Sequence, residues 1–136
     1  MKVLVDTSVW SLALRRKSPS DHHDVTSALA SLVEDGRVAI IGAIRQELLS
    51  GVKERVQFER LRDHLRAFSD TPVATDDHEE AAEFFNRCRE KGIQGSNTDF
   101  LICAVAARHG LPILTTDEDF SLFAKVLPIT LHSDAE

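Results

Sequence analysis

The sequence predicts an α/β domain with a mostly parallel central sheet covered by helices on both faces. Three observations predict it. Short apolar runs rich in β-branched residues recur along the chain, each the length of a buried strand. Between them lie segments whose apolar residues repeat at helical spacing, so strands alternate with helices. The connections are short, and the right-handed crossover rule then sends the helices to alternate faces in a doubly wound arrangement.

Lys2-Val3-Leu4-Val5 opens the chain as a buried strand. It stops at Asp6-Thr7-Ser8, whose side chains cap helices well, and a helical run over 9–14 follows. The polar loop Lys17-Ser18-Pro19-Ser20-Asp21-His22-His23 breaks the first half. Val25, Leu29, Leu32 and Val33 then recur at helical spacing, with Gly36 in the position of a C-cap. Residues 37–41 form a second strand, and Gly42 turns the chain into a helix carrying Ile44, Glu47 and Leu48, closed by Gly51. From 53 to 68 the chain is charged, but Phe58, Leu61, Leu65 and Phe68 line one face. Pro72-Val73-Ala74 is expected as a third strand, after which Asp76 or Asp77 caps a helix bearing Ala81, Phe84, Phe85 and Cys88. A glycine-bearing loop over 92–97 leads to Asp99 and the most apolar helix, 100–108, closed by Gly110 and Pro112. Pro112-Ile113-Leu114-Thr115 is a further strand ending at Thr116-Asp117, a last helix covers 120–126, and Pro128-Ile129-Thr130-Leu131 is a terminal strand.

Composition narrows the class. With 136 residues the chain is long enough for one core, and a single domain over 1–136 is expected. Cys88 and Cys103 are too few for a disulfide scaffold, and no close Cys/His spacing points to zinc. The chain turns acidic at Asp6, too early for a signal peptide, and its longest apolar stretch, 100–107, is far short of the roughly 20 residues of a membrane helix. A reduced, cytoplasmic protein without membrane attachment is expected. The formal charge of −6, from 16 Lys+Arg against 22 Asp+Glu, is not that of a simple nucleic-acid binder. It fits either general solubility or carboxylates gathered to hold cations.

Position along the chain separates those two readings. Parallel sheets bind ligands outside the carboxyl ends of their strands. Asp6 follows the first strand directly, Asp117 follows the 113–115 strand, Asp99 opens the apolar helix, and Glu47 lies in the helix after the second strand. Each has a structural alternative: Asp6 and Asp99 as helix caps, Asp117 as a turn residue, Glu47 on a solvated face. If the four meet, their mutual repulsion calls for a cation, and an all-oxygen set suits Mg²⁺ or Mn²⁺. Paired ions of this kind activate water and stabilise a departing oxygen in phosphodiester hydrolysis. They also reverse the local field, so that an acidic protein accepts a polyanion.

Asp6-Thr7-Ser8 after an apolar strand, Glu47 in Arg45-Gln46-Glu47-Leu48, Asp99 in Asn97-Thr98-Asp99-Phe100-Leu101-Ile102, and Thr116-Asp117-Glu118-Asp119-Phe120 together resemble the PIN-domain ribonucleases. Within them the set is similar to the VapC-type toxins of toxin–antitoxin modules. The resemblance spans essentially the whole chain, and the order of the motifs carries it more than any one of them.

It implies a three-layer α/β/α PIN-like fold with a central, mostly parallel sheet. It further implies a Mg²⁺-dependent endoribonuclease, with Mn²⁺ an alternative ion. Implied partners are an RNA substrate, a cognate antitoxin that blocks the site, and a second copy in a homodimer. Matched to the family's acidic quartet, Asp6, Glu47, Asp99 and Asp117 are the catalytic residues, with Asp6, Asp99 and Asp117 as metal ligands. Glu47 holds a second ion or orients the attacking water. Asp119 matches a frequent additional acid, or caps the last helix.

Other residues carry paired readings. Thr7, Ser8 and Thr116 orient carboxylates or cap helices; Ser96 and Asn97 support the site or belong to a loop. Arg15-Arg16-Lys17, Arg45, Lys53 and Arg55 contact phosphates or are solvated, and His22-His23 is an exposed loop pair rather than a zinc site. Trp10 with Leu14, and the stripe of Phe58 to Phe68, are core or anchors for a partner helix. Two rival classes remain. An aspartyl-phosphate enzyme needs a second Asp soon after Asp6, where Ser8 and Trp10 stand, and a lysine after a strand, which is missing. A catalytically inactive PIN-like module would bind RNA or a protein partner, but gains nothing from clustered negative charge.

Overall fold

The computed structural model describes residues 1–14 and 23–133, with the side chain of His23 left aside. The expectations for Arg15-Arg16-Lys17 and for His22-His23 as a side-chain pair lie outside the described residues. Three short strands form a parallel sheet in the order β2-β1-β3: β1 (Val3–Val5), β2 (Val38–Ala39) and β3 (Ile113–Leu114). The registers Val3↔Val38 and Leu4↔Ile113 make β1 the centre. Its amides bond alternately to either side, Val3 to the carbonyl of Arg37 and Leu4 to that of Pro112. All three β1 residues are wholly buried, as a parallel strand covered on both faces must be.

Helices flank this sheet in two packed groups. α1 (Thr7–Leu14), α2 (His23–Glu34), α3 (Gly42–Ser50) and α4 (Arg55–Leu65) lean on one another; α5 (Thr75–Glu90) packs along α6 (Asn97–His109) and against α7 (Asp119–Val126). The expected α/β/α layering is therefore the observed one. α6 is the most deeply set helix: Phe100 and residues 102–106 are all buried. α2 and α6 each deliver the chain to a strand through a left-handed glycine, Gly36 at φ +69° and Gly110 at φ +64°. In both, the next amide reaches back to a carbonyl five residues earlier, Arg37 to Leu32 and Leu111 to Ala106, which closes the helix within one residue.

Three sequence expectations need correction. Pro72-Val73-Ala74 is not a strand; the sheet edge beside β2 is a single bridge, Ile40↔Asp70, with the Thr71 amide donating to the Ile40 carbonyl, and it stops where the partner segment turns into α3 at Gly42. The terminal strand likewise reduces to the bridge Ile113↔Leu131. Asp76 and Asp77 do not cap α5 from outside: Ala74 is the N-cap, and Asp77 sits three residues on, where its Oδ2 accepts the Ala74 amide at 2.8 Å.

Asp77 is also the most buried charged side chain among the described residues, 1% exposed, and the half-exposed Arg108 of α6 donates to both its oxygens, Nε to Oδ1 at 2.6 Å and Nη2 to Oδ2 at 2.8 Å. This two-pronged pair pins α5 to the far end of α6. The guanidinium holds the Asp77 carboxyl below the usual carboxylate range. The pair therefore stabilises the fold fully above about pH 4 and loses that contribution as pH falls through the lowered value. Asp77→Ala is expected to cost about 2–3 kcal/mol at pH 7, by leaving the Ala74 amide and the guanidinium short of an acceptor. Urea melts of both proteins check this, and the difference between them should shrink below pH 4.

Candidate functional site

Asp6 is the residue at which β1 becomes α1. Its amide completes the ladder to the Leu114 carbonyl at 2.9 Å, and its own carbonyl accepts the Val9 amide that starts the helix. Backbone on both sides is thus committed, and the side chain stands at the carboxyl edge of the sheet, 4% exposed. Two hydroxyls hold it: Ser8 Oγ and Thr115 Oγ1 each donate to Oδ2 at 2.8 Å. The Thr116 amide donates to Ser8 Oγ, and the Asp117 amide to Thr115 Oγ1. The end of β1 and the end of β3 are therefore tied through hydroxyls, and Asp6 is buried polar but satisfied.

Thr115 was not singled out by its sequence. Only the parallel register carries it there: Val5 pairs with Leu114, so the residues one step beyond each strand, Asp6 and Thr115, face one another. The usable signal was its equivalence to Asp6, as the first polar residue after an apolar run.

Asp99 lies in the first turn of α6, not at its cap. Ser96 is the N-cap; its hydroxyl accepts the Asp99 amide at 3.1 Å, and Asp99 Oδ2 accepts the Ser96 amide at 3.0 Å. Ser96 thus gains a defined role, and the reciprocal pair fixes the half-buried carboxyl against a helix that cannot shift without disturbing the core. The approach to this turn is tight. A Cβ on Gly95 would meet the buried Phe123 ring at 2.6 Å and Phe100 at 3.0 Å, so only glycine fits where the loop passes over the aromatic cluster.

Asp117 is half-buried and accepts the Asp119 amide on Oδ1 at 2.9 Å, shaping the turn into α7. Asp119 is the first residue of α7 and is exposed. Glu47 is exposed on α3, where Thr7 Oγ1 donates to its Oε1 at 2.7 Å; Thr7 adjoins Asp6, so this bond fastens Glu47 to the same turn.

Electrostatics link three of these acids. The Asp99 carboxyl is pushed above its ordinary range, first by burial and then by the charges of Asp6 and Asp117, against the lowering effect of its bonds to Ser96. One helical turn further, the buried Cys103 thiol is driven strongly upward by burial and by Asp99, Cys88 and Asp6, so it stays neutral. Among the described residues, however, no three His, Cys, Asp or Glu side chains are arranged as a ready-made metal cluster. Asp6, Asp99, Asp117 and Glu47 each take a proton donor close by instead.

The basic residues divide. Arg45 is not free for phosphate: its guanidinium is spent on the Leu65 and Phe68 carbonyls and on Asp70, which locks α3 to the end of α4. Arg55 pairs with Glu59, and Lys53 is exposed. Trp10 is core, 3% exposed and edge-on to Phe68 at 5.4 Å, whereas Leu14, one turn on, is 41% exposed. Leu14 borders a groove of about 600 Å³ with Val52, Leu61 and His64.

The PIN domain family model matches residues 3–126. The VapC ribonuclease Mb1587 of Mycobacterium bovis and Ribonuclease VapC11 of Mycobacterium tuberculosis are each 30% identical over 128 residues, covering 91% of this chain and 92% of theirs. Among solved structures, FitAcB from Neisseria gonorrhoeae superposes with a TM-score of 0.76 at 22% identity, covering 98% of this chain and 99% of that one. VapBC2 from Rickettsia felis, bound to a DNA fragment from its promoter, gives 0.76 at 19% identity over 97% and 98%. The chain belongs to the PIN-domain family, with VapC ribonucleases as relatives.

Two outcomes follow from the packing and charge of this edge. Gly95→Ala is expected to destabilise the fold by about 1–3 kcal/mol by displacing Phe123 and Phe100, measurable by urea denaturation. Asp99→Asn keeps an oxygen for the Ser96 amide while removing charge, so it should raise the melting temperature of the metal-free protein by about 2–4 °C at pH 7. Because the wild-type carboxyl is raised, its penalty is relieved as pH falls through that value, and the two melting temperatures should converge in acid.

Proposed function

We propose that this chain is a Mg²⁺- or Mn²⁺-dependent endoribonuclease, the toxin of a toxin–antitoxin pair, working in the cytoplasm as a homodimer. The observation that carries this reading is geometric: Asp6 and Asp117 follow the paired ends of β1 and β3, tied together through Ser8 and Thr115, and the half-buried Asp99 carboxyl at the start of α6 feels the charge of both. Acids gathered at one sheet edge make sense when a cation and a phosphate share it. The relatives' names as ribonucleases over 91% of the chain support the same reading.

The donor chemistry fits a hard ion: Asp6, Asp99 and Asp117 offer only oxygens, and their bonds to hydroxyls and amides engage Oδ2 of Asp6 and Asp99 and Oδ1 of Asp117, so each could turn its second oxygen to a cation. Such an ion, when bound, supplies charge neutralisation and an acidified water. The chain does the rest. Ser8 and Thr115 keep the Asp6 carboxylate in one orientation, Ser96 does so for Asp99, and Glu47, steadied by Thr7, orients the attacking water. Hydrolysis then forms a bond from the water oxygen to phosphorus and breaks the bond from phosphorus to the leaving ribose oxygen. The antitoxin is assigned to the groove beside Leu14, where Val52 and Leu61 would take an apolar anchor and Gln57, Arg60 and His64 form the rest of the lining.

Purified chain freed of any partner should cleave RNA with Mn²⁺ or Mg²⁺ and not with excess EDTA. Asp6→Asn and Asp99→Asn should each lower kcat by at least about a hundredfold while remaining folded by circular dichroism. Undiminished cleavage by both variants, or cleavage in EDTA, would remove the assignment.

A further inference from the structure

Each acid at the carboxyl edge has one oxygen already engaged. Asp6 gives Oδ2 to the Ser8 and Thr115 hydroxyls, Asp99 gives Oδ2 to the Ser96 amide, and Asp117 gives Oδ1 to the Asp119 amide. Glu47 gives Oε1 to the Thr7 hydroxyl. Among the described residues, the second oxygen of each carboxylate receives no hydrogen-bond donor.

Asp6 is the strictest case. A carboxylate oxygen carries a pair of acceptor positions, and the two hydroxyls, each at 2.8 Å, fill those of Oδ2. The hydroxyls are themselves held in place. The Thr116 amide donates to Ser8 Oγ at 3.1 Å and the Asp117 amide to Thr115 Oγ1 at 3.0 Å. Backbone thus places each hydroxyl oxygen and leaves its single proton for the carboxylate. One hydroxyl comes from α1 and the other from the end of β3, and they stand 3.3 Å apart over one buried atom. Oδ2 is closed to a further partner, and Oδ1 is the oxygen left for one.

That asymmetry bears on the kind of ion the edge accepts. Ca²⁺ gathers about six to eight oxygens and often takes both oxygens of one carboxylate. Mg²⁺ demands a tight octahedral set, keeps several waters and needs only single oxygens from its carboxylates. We propose that Ser8 and Thr115 select the ion: by occupying Oδ2 they present Asp6 through Oδ1 alone, which favours a small cation of the Mg²⁺ kind over Ca²⁺. Both are positioning residues that act through Asp6. This rests on the metal-dependent reading above and adds to it a source of ion preference in two hydroxyls.

The test needs no RNA. Mn²⁺ is bound to the partner-free full chain and displaced by Mg²⁺ or by Ca²⁺, the released ion being followed by its electron paramagnetic resonance signal. Wild type should prefer Mg²⁺ to Ca²⁺. Thr115→Val and Ser8→Ala each open one position on Oδ2, and each should lower that preference about threefold, the double variant about tenfold. Thr115→Ser keeps the hydroxyl and should keep the wild-type ratio. A merely structural role would weaken both ions together and leave the ratio where it was. An unchanged ratio in both single variants, or a wild type that binds Ca²⁺ as tightly as Mg²⁺, would overturn the proposal. If the double variant does not fold by circular dichroism, the two single variants decide. The ribonuclease reading fails separately: a chain with the expected ratios that cleaves no RNA leaves the ion selection standing. Metal-dependent cleavage with ratios that no variant alters removes only the selection, and a chain that takes up no Mn²⁺ removes both.

Discussion

Asp6 carries the arrangement because it answers to two constraints at once. Its amide belongs to the ladder with β3 and its carbonyl to the first turn of α1, so its backbone has no freedom left. A carboxylate fixed at 4% exposure is costly unless its charge is met. Ser8 comes from its own helix and Thr115 from the other end of the chain, and both donate to one oxygen. The parallel pairing of β1 with β3 is therefore a condition for the site as well as for the fold: a slip of one residue would turn Thr115 to the opposite side and leave Asp6 short of a donor.

The rest of the acidic edge is held in a comparable manner, by local bonds reinforced by the core. Ser96 and Asp99 cap α6 reciprocally, and α6 is so deeply packed that this first turn inherits the rigidity of the hydrophobic centre. Gly95 shows how little slack remains, since a single added carbon would strike Phe123. On the opposite flank, Arg45 caps the end of α4 with three acceptors, which sets α3 and with it Glu47. Charge that is unfavourable at one edge is thereby offset by cohesion elsewhere, the pattern expected where function and stability conflict.

Two ionised groups with opposite environments make the same point. Asp77 is buried beside a guanidinium and is held below the usual carboxylate range; the half-buried Asp99 is driven above it, first by desolvation and then by the charges of Asp6 and Asp117. One carboxylate fastens the α5–α6 hairpin, and the other keeps an electrostatic demand that the fold itself leaves unmet.

The sequence by itself determined the alternation of strands and helices, the glycines that end α2 and α6, and the identity of the acids at strand ends, because these depend on local periodicity and turn chemistry. It overreached at Pro72-Val73-Ala74 and at the terminal strand, where apolar composition resembles a strand but the ladder reduces to single bridges. Tertiary structure alone decided that Thr115 meets Asp6, that Asp77 pairs with Arg108, and that Arg45 is a structural cap rather than a phosphate contact. Those are contacts between residues 20 to 109 positions apart, set by strand register and helix packing, and neither leaves a trace in the spacing of nearby residues.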